Sequence, residues 1–150
     1  MAERDYTSRR LSVVKALAEA LKVIDGSEDY LSNIEGRSYS KLKFWDELKE
    51  FPSVHVTAGP EYRQYQGGGY KDRFLSITIR VYVNSEDSVE ELDRIMEDIE
   101  TVVEQNSRLE YIDKRGFPQT THQISVLNIT TDEGVLNPLG AGEMLLEVQY

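Results

Sequence analysis

Three observations predict an α+β fold: a mainly antiparallel sheet of about five strands, two main helices packed on one face, and a long protruding β-hairpin. Leu11–Ile24 and Val89–Val103 carry apolar residues at spacings of three and four, the period of a helix with one buried stripe. Leu75, Ile77, Ile79, Val81 and Val83 alternate with Ser76, Thr78, Arg80 and Tyr82, the period of a strand with one core face and one polar face. Turn residues separate these segments from further strand-like runs, the mixed order expected of helices covering one side of an antiparallel sheet.

The first helix buries Leu11, Val14, Leu17, Ala18, Leu21 and Ile24, with Asp5, Thr7 or Ser8 as its cap and Gly26 at its end. Ser27 to Ser40 is polar and reads as a loop. "FWDELKEFP" gathers Phe44, Trp45, Leu48 and Phe51 into a turn or two of helix stopped by Pro52, with Trp45 expected in the core. "SVHVTAG", Ser53 to Gly59, alternates as a strand that Gly59 and Pro60 break. "EYRQYQGGGYKDRFLSITIRVYV", Glu61 to Val83, is polar, aromatic and glycine-broken up to Arg73 and a well-specified strand after it. The second helix takes Val89, Leu92, Ile95, Met96, Ile99, Val102 and Val103 as its stripe, with Ser85 or Ser88 as its cap and acids in its first turn, where the helix dipole favours them. A short strand at Arg108–Asp113, a turn at "KRGFP" and a longer strand from His122 to Gly134 follow. The alternation of that strand slips near Val126 and Leu127, which marks a bulge. "VLNPLGAG" reads as a loop, and "EMLLEVQY" as the closing strand. No internal repeat or low-complexity segment is visible.

The 150 residues suit one domain, which buries roughly 68–70% of its unfolded surface and so holds a real core without staples. Cysteine is absent, which removes disulfides, thiolate metal sites and cysteine nucleophiles together. The charged N-terminus "MAERDYTSRR" has no apolar core of a signal peptide, and no apolar run approaches the 18 or so residues of a membrane helix. A soluble protein made and used in a cytoplasm is expected. The net charge of −10 argues against a surface that grips phosphates. Charge is also unevenly placed: Met1–Arg80 carries 13 basic and 12 acidic side chains, and Val81–Tyr150 carries 4 and 15. This reads either as a solvated acidic surface or as a protomer with two unlike faces, which suits head-to-tail assembly.

Chemistry is hard to find. His55 and His122 each stand in a strand pattern without a spaced partner, and two histidines without cysteine would leave a zinc site leaning on carboxylates. Gly67–Gly69 is followed by Tyr70, Lys71 and Asp72 and then a strand. A phosphate loop needs a Gly-Lys-Ser/Thr end, and a dinucleotide fingerprint needs a helix; a flexible hairpin tip is the plainer reading. "DGSED" (Asp25–Asp29) and "TTDEG" (Thr130–Gly134) lack full calcium-loop spacing. Catalytic, metal and cofactor residues are therefore not expected.

The hairpin tip does point somewhere. Tyr62, Arg63, Tyr65, Tyr70, Lys71 and Arg73 crowd it, and Tyr and Arg dominate protein interface energetics. The same interleaving could stack nucleic acid bases, which the overall charge disfavours, or it could be a solvated loop. The second helix offers the other candidate surface. Nine acids between Glu86 and Glu104 are opposed only by Arg94, so Glu90, Glu91, Glu97, Asp98 and Glu104 form a dense negative face for water or a partner.

The order and spacing of these segments resemble the tail terminator, or tail completion, proteins of long-tailed bacteriophages. The resemblance runs through most of the chain: "LSVVKALAEALKVI", then "FWDELKEFPSVHV", the hairpin rising from "TAGPEY" and returning in "RFLSITIRVYV", the helix "DSVEELDRIMEDIETVVEQN", and "ITTDEGVLNPLGAGEMLLEVQY" ending on an aromatic. The resemblance implies a single tail-terminator-like domain over 1–150 that forms a ring, usually a hexamer, on the head-proximal end of the tail tube. Such a ring stops tube polymerisation and offers a surface for head–tail joining. It implies a virion protein with no catalysis and no cofactor, whose partners are further copies of itself, the tail tube protein and the head–tail connector. DNA passes through the lumen without being held, and no membrane is involved. The hairpin residues are then candidates for partner contact, and the Glu90–Glu104 face for the ring interface or lumen. Another neck or connector ring protein, or a small carboxylate-based hydrolase or nucleotide-binding regulator, are the alternatives.

Overall fold

A computed structural model describes residues 8–150. Helix α1 (Arg9–Ala20) is capped by the Ser8 hydroxyl, which accepts from the Leu11 N–H, and continues as a single 3-10 turn, Leu21–Val23. The other expected caps, Asp5 and Thr7, lie outside the described residues. The helix buries Val13, Val14, Leu17 and Ala18, while Leu11 is 38% exposed. At about 100° per residue the buried arc runs from Val13 round to Ala18, and Leu11 falls just beyond its far edge.

Helix α2 (Ser88–Gln105) is capped by Asp87, which lies between the two expected caps, Ser85 and Ser88. Asp87 accepts from the Glu90 N–H at 3.1 Å, whereas Ser88 is buried and donates to the Asn137 side chain at 2.8 Å. Leu92, Ile95, Met96, Ile99, Val102 and Val103 form the buried stripe, which Val89 leaves for solvent.

Five strands make the main sheet in the order β1-β2-β3-β7-β6: β1 (Ser38–Tyr39), β2 (Ser53–Tyr65), β3 (Lys71–Asn84), β6 (Gln123–Thr131) and β7 (Leu139–Gln149). All neighbours pair antiparallel except β1 with β2. β4 (Glu110–Ile112) and β5 (Pro118–Thr120) form a separate two-stranded ribbon. The sheet is thus mainly antiparallel with both helices on one face, and the fold is α+β as the periodicities predict. α1 lies against β1, β2 and β4, and α2 against β3, β7 and β6. Between them Leu75, Ile77, Ile79, Val81 and Val83 of β3 and Met144, Leu146 and Val148 of β7 are fully buried.

Several boundaries differ from the sequence reading. Gly59 and Pro60 do not break β2. They form a bulge opposite Ser76, where the register steps from Ala58↔Ile77 to Glu61↔Leu75, because the ladder absorbs the extra residue without stopping. The second expected bulge does lie at Val126–Asn128 in β6. The Ser27–Ser40 loop contains β1 and the fully buried Ile34. β7 begins within the stretch read as a loop, and β5 within the "KRGFP" turn region. Phe44–Phe51 yields one 3-10 turn, Trp45–Glu47, and Phe44 is 59% exposed; the expectation for the Trp45 side chain lies outside what is described.

Two glycines of β7 let α2 come close. A Cβ on Gly142 would lie 2.6 Å from Met96 Cε, and one on Gly140 would lie 3.0 Å from the Cβ of Ser88, the first residue of α2. Side chains there would prise the helix from the sheet.

Candidate functional site: a projecting hairpin and two charged faces

The hairpin is longer and more regular than a loose tip. β2 and β3 pair through Arg63↔Arg73 and Tyr65↔Lys71, while the neighbouring β7 reaches only as far as Phe74↔Gln149. The segment beyond Phe74 therefore extends past the sheet with only its own partner strand. Only residues 66–70 turn, through Gly68 and Gly69 at φ 76° and 83°, a region open to glycine. The Gln66 N–H closes the turn on the Tyr70 carbonyl at 2.8 Å.

Alternation divides five of the six expected contact residues between two faces, and the sixth, Tyr70, lies in the turn. Tyr62 stands on the face of the sheet away from the helices and stacks on Phe74 at 4.8 Å with rings 13° apart. Arg63, Tyr65, Lys71 and Arg73 stand on the opposite face, since they are in phase with Leu75 and its buried partners. Lys71 lies over the Tyr65 ring. Arg63 pairs with Glu61 at 2.8 Å, and Arg73 lies over the ring of Tyr150. The Tyr150 hydroxyl in turn donates to Glu61. Burial first, then the hydrogen bond and charge of Glu61, push that phenol well above its ordinary range. Both arginines are thus braced at the hairpin base, and Tyr65 and Tyr70, at 74% and 75% exposure, are its free aromatic surface. Phe74, Glu61 and Tyr150 belong to this unit although the sequence reading missed them. Strand alternation could have found Phe74, while the Glu61–Tyr150 pair joins positions far apart in the chain.

The acidic face of α2 holds Glu90, Glu97 and Glu104, two turns apart and all exposed, with Glu91 on its flank. Asp98 does not belong to it. It is 3% exposed and accepts from the backbone N–H groups of Leu31 at 2.9 Å and Ser32 at 2.7 Å and from the Ser32 hydroxyl. It is an internal anchor for the loop after α1, because its position on the helix turns it toward that loop.

A groove of about 510 Å³ lies between α1 and β1, lined by Lys15, Lys22, Lys41 and Lys43 with Glu19 and Tyr39. Its lysines come from two separate segments, Lys15–Lys22 and Lys41–Lys43, so no local signal in the sequence locates it. Its outer wall is fixed by His55, which is fully buried. Its Nδ1–H donates to the Lys41 carbonyl at 2.9 Å, and its Nε2 accepts from the Ser53 hydroxyl at 2.7 Å. Tyr39 stacks on the ring at 5.4 Å. Burial is the main cause that holds this imidazole below its ordinary pKa, so it is a neutral structural pin. Among the described residues no group of three or more His, Cys, Asp or Glu could hold a metal ion, and no helix is long and apolar enough to cross a membrane.

This fold is shared with a chain of the virion of a native gene transfer agent particle. The two superimpose with a TM-score of 0.53 at 11% identity over 95% of this chain and 93% of that one. The class is that of small α+β domains with two helices on one face of a mainly antiparallel sheet. The sequence pattern of the Bacteriophage Tail Tube Terminator Protein family matches residues 7–150, and the chain belongs to that family. It is 32% identical over 149 residues to the tail tube terminator protein of Escherichia phage T5, covering 94% of this chain and 92% of that one. A weaker similarity, 27% identity, reaches Autophagy-related protein 17 of Pichia angusta but spans only 37% of it. The chain is thus a structural protein of the virion tail, associated with the tail tube.

Proposed function

We propose that the chain, as a single domain, forms a homohexameric ring on the head-proximal end of the tail tube, stops tube polymerisation and offers the surface on which the head connector docks. The observation that carries this reading, beyond family membership, is the projecting hairpin. Its backbone is rigidly paired, it is braced at its base by Glu61, Arg63, Arg73 and Tyr150, and it presents Tyr65 and Tyr70 to solvent. Exposed tyrosines on a stiff support give contact area at low entropy cost, which suits docking on another ring. Tyr62, Arg63, Tyr65, Tyr70, Lys71 and Arg73 are the partner-contact residues in this reading. DNA passes through the lumen unheld, because a chain of net charge −10 repels phosphates. The protein performs no catalysis and uses no cofactor.

The test is to add purified protein to polymerising tail tubes and measure tube length and end structure by negative-stain microscopy. Blunt tubes capped at one end by a ring support the reading. Tubes that grow at the same rate to the same lengths with the protein present overturn it. Tyr65→Ala with Tyr70→Ala, both exposed and remote from the core, is expected to leave folding intact and to weaken docking of the tube or of the connector.

A further inference from the structure

We propose that the lysine groove beside α1 and β1 seats the acidic face of α2 from a second copy of the chain, and that this contact, repeated head to tail, closes the ring. This rests on the ring reading above and names its interface.

β1 and β2 come from the nearly neutral first half of the chain, and β7 and β6 from the acidic second half. The order β1-β2-β3-β7-β6 therefore turns a charge asymmetry along the sequence into one across the molecule. On the β1 side, Lys15, Lys41 and Lys43 sit in no ion pair among the described residues, and Leu42 and Phe44 beside them are 49% and 59% exposed. On the α2 side, Asp87, Glu90 and Asp93, with Arg94 paired to Glu90, rim a shallow hollow in which Leu31 and Val89 are 64% and 44% exposed, and the exposed Glu97 continues the acidic face one turn further along the helix. Each surface sets exposed apolar side chains beside charge, and the prevailing charges, lysine on one and carboxylate on the other, are of opposite sign. Apolar side chains bordered by polar ones are the anatomy of a protein interface, and complementary charges set partner and register. Because the two surfaces are unlike and lie on different halves of the molecule, the contact they make is heterologous, the kind that generates a ring when the rotation closes.

The test uses the full chain and its mass by light scattering and sedimentation, at low and moderate salt. Two variants each reverse one surface: Lys41→Glu with Lys43→Glu, and Asp93→Lys with Glu97→Lys. Each alone is expected to lose self-association at least about tenfold. Mixing the two restores it, since every contact in an alternating ring is again complementary, and so does carrying all four changes in one chain. Native self-association should also weaken with salt. Circular dichroism checks folding, and Lys41→Gln with Lys43→Gln replaces the first variant if it fails that check. Single-surface variants that form oligomers of native mass overturn this interface while the ring reading stands. A native chain that stays monomeric both free and on tail tubes overturns both. Retention of a DNA duplex in the groove, with α2 reversal having no effect on self-association, overturns the proposal in favour of a polyanion site.

Discussion

Asp98 separates an internal anchor from a surface charge, and the separation can be measured. Asp98→Ala removes a 3% exposed carboxylate that accepts three hydrogen bonds, two from the backbone N–H groups of Leu31 and Ser32 at 2.9 and 2.7 Å. Hydrogen bonds to a charged group contribute about 1.5–3 kcal/mol each, and an orphaned buried donor costs about 1–3 kcal/mol. The full sum is not expected, because Leu31 is 64% exposed and its loop can turn toward water. About 3 kcal/mol is the working figure, a fall in melting temperature of roughly 6–12 °C for a chain of this size. Asp98→Asn keeps one accepting oxygen but points an amide at a donor, so about half that loss is expected. Urea unfolding gives the stability, and amide hydrogen exchange at Leu31 and Ser32 locates it. If Asp98→Ala stays within about 0.5 kcal/mol of the native chain with unchanged protection at those two amides, the anchoring argument is wrong.

Other perturbations probe other contacts. Gly142→Ala places a methyl 2.6 Å from Met96 Cε and 3.2 Å from both Leu92 methyls, and thermal unfolding should show a loss of about 1–3 kcal/mol from overpacking. His55 has a folded pKa below its ordinary value, so the unfolded chain takes up the proton first. The stability it contributes is complete above about pH 6.5 and is lost as pH falls toward the folded value. Urea midpoints between pH 7.5 and 5.5 should fall in that direction, with a shallower slope in His55→Gln. Tyr150→Phe removes the donor to the Glu61 carboxylate, whose side chain is 6% exposed. A destabilisation of about 1–2 kcal/mol is expected, with faster amide exchange at the hairpin base. In the native chain, ultraviolet titration should show the Tyr150 phenol ionising only as the fold is lost.

Local periodicity determined much of this protein. The alternation of Leu75–Val83 and the stripe from Leu92 to Val103 placed the core strand and helix correctly, because side chains repeat every two residues on a strand and every 3.6 on a helix whatever lies opposite. The order of segments likewise carried the family resemblance, and the glycines of residues 67–69 marked the tip. Only the tertiary structure decided what depends on a neighbour distant in sequence. Val89 lies in phase with its stripe yet is 44% exposed. Asp98 reads as one acid among nine, and only the folded loop at Leu31–Ser32 makes it an anchor. Strand pairing split Tyr62 from Arg63 and Arg73, and tied the arginines to Glu61 and Tyr150. The lysine groove arises because β1 pairs beside β2 and brings Lys41 and Lys43 to α1. Sequence spacing carries no information on contacts made across dozens of residues, and those contacts fix which charges are buried, which are braced and which remain free to meet a partner.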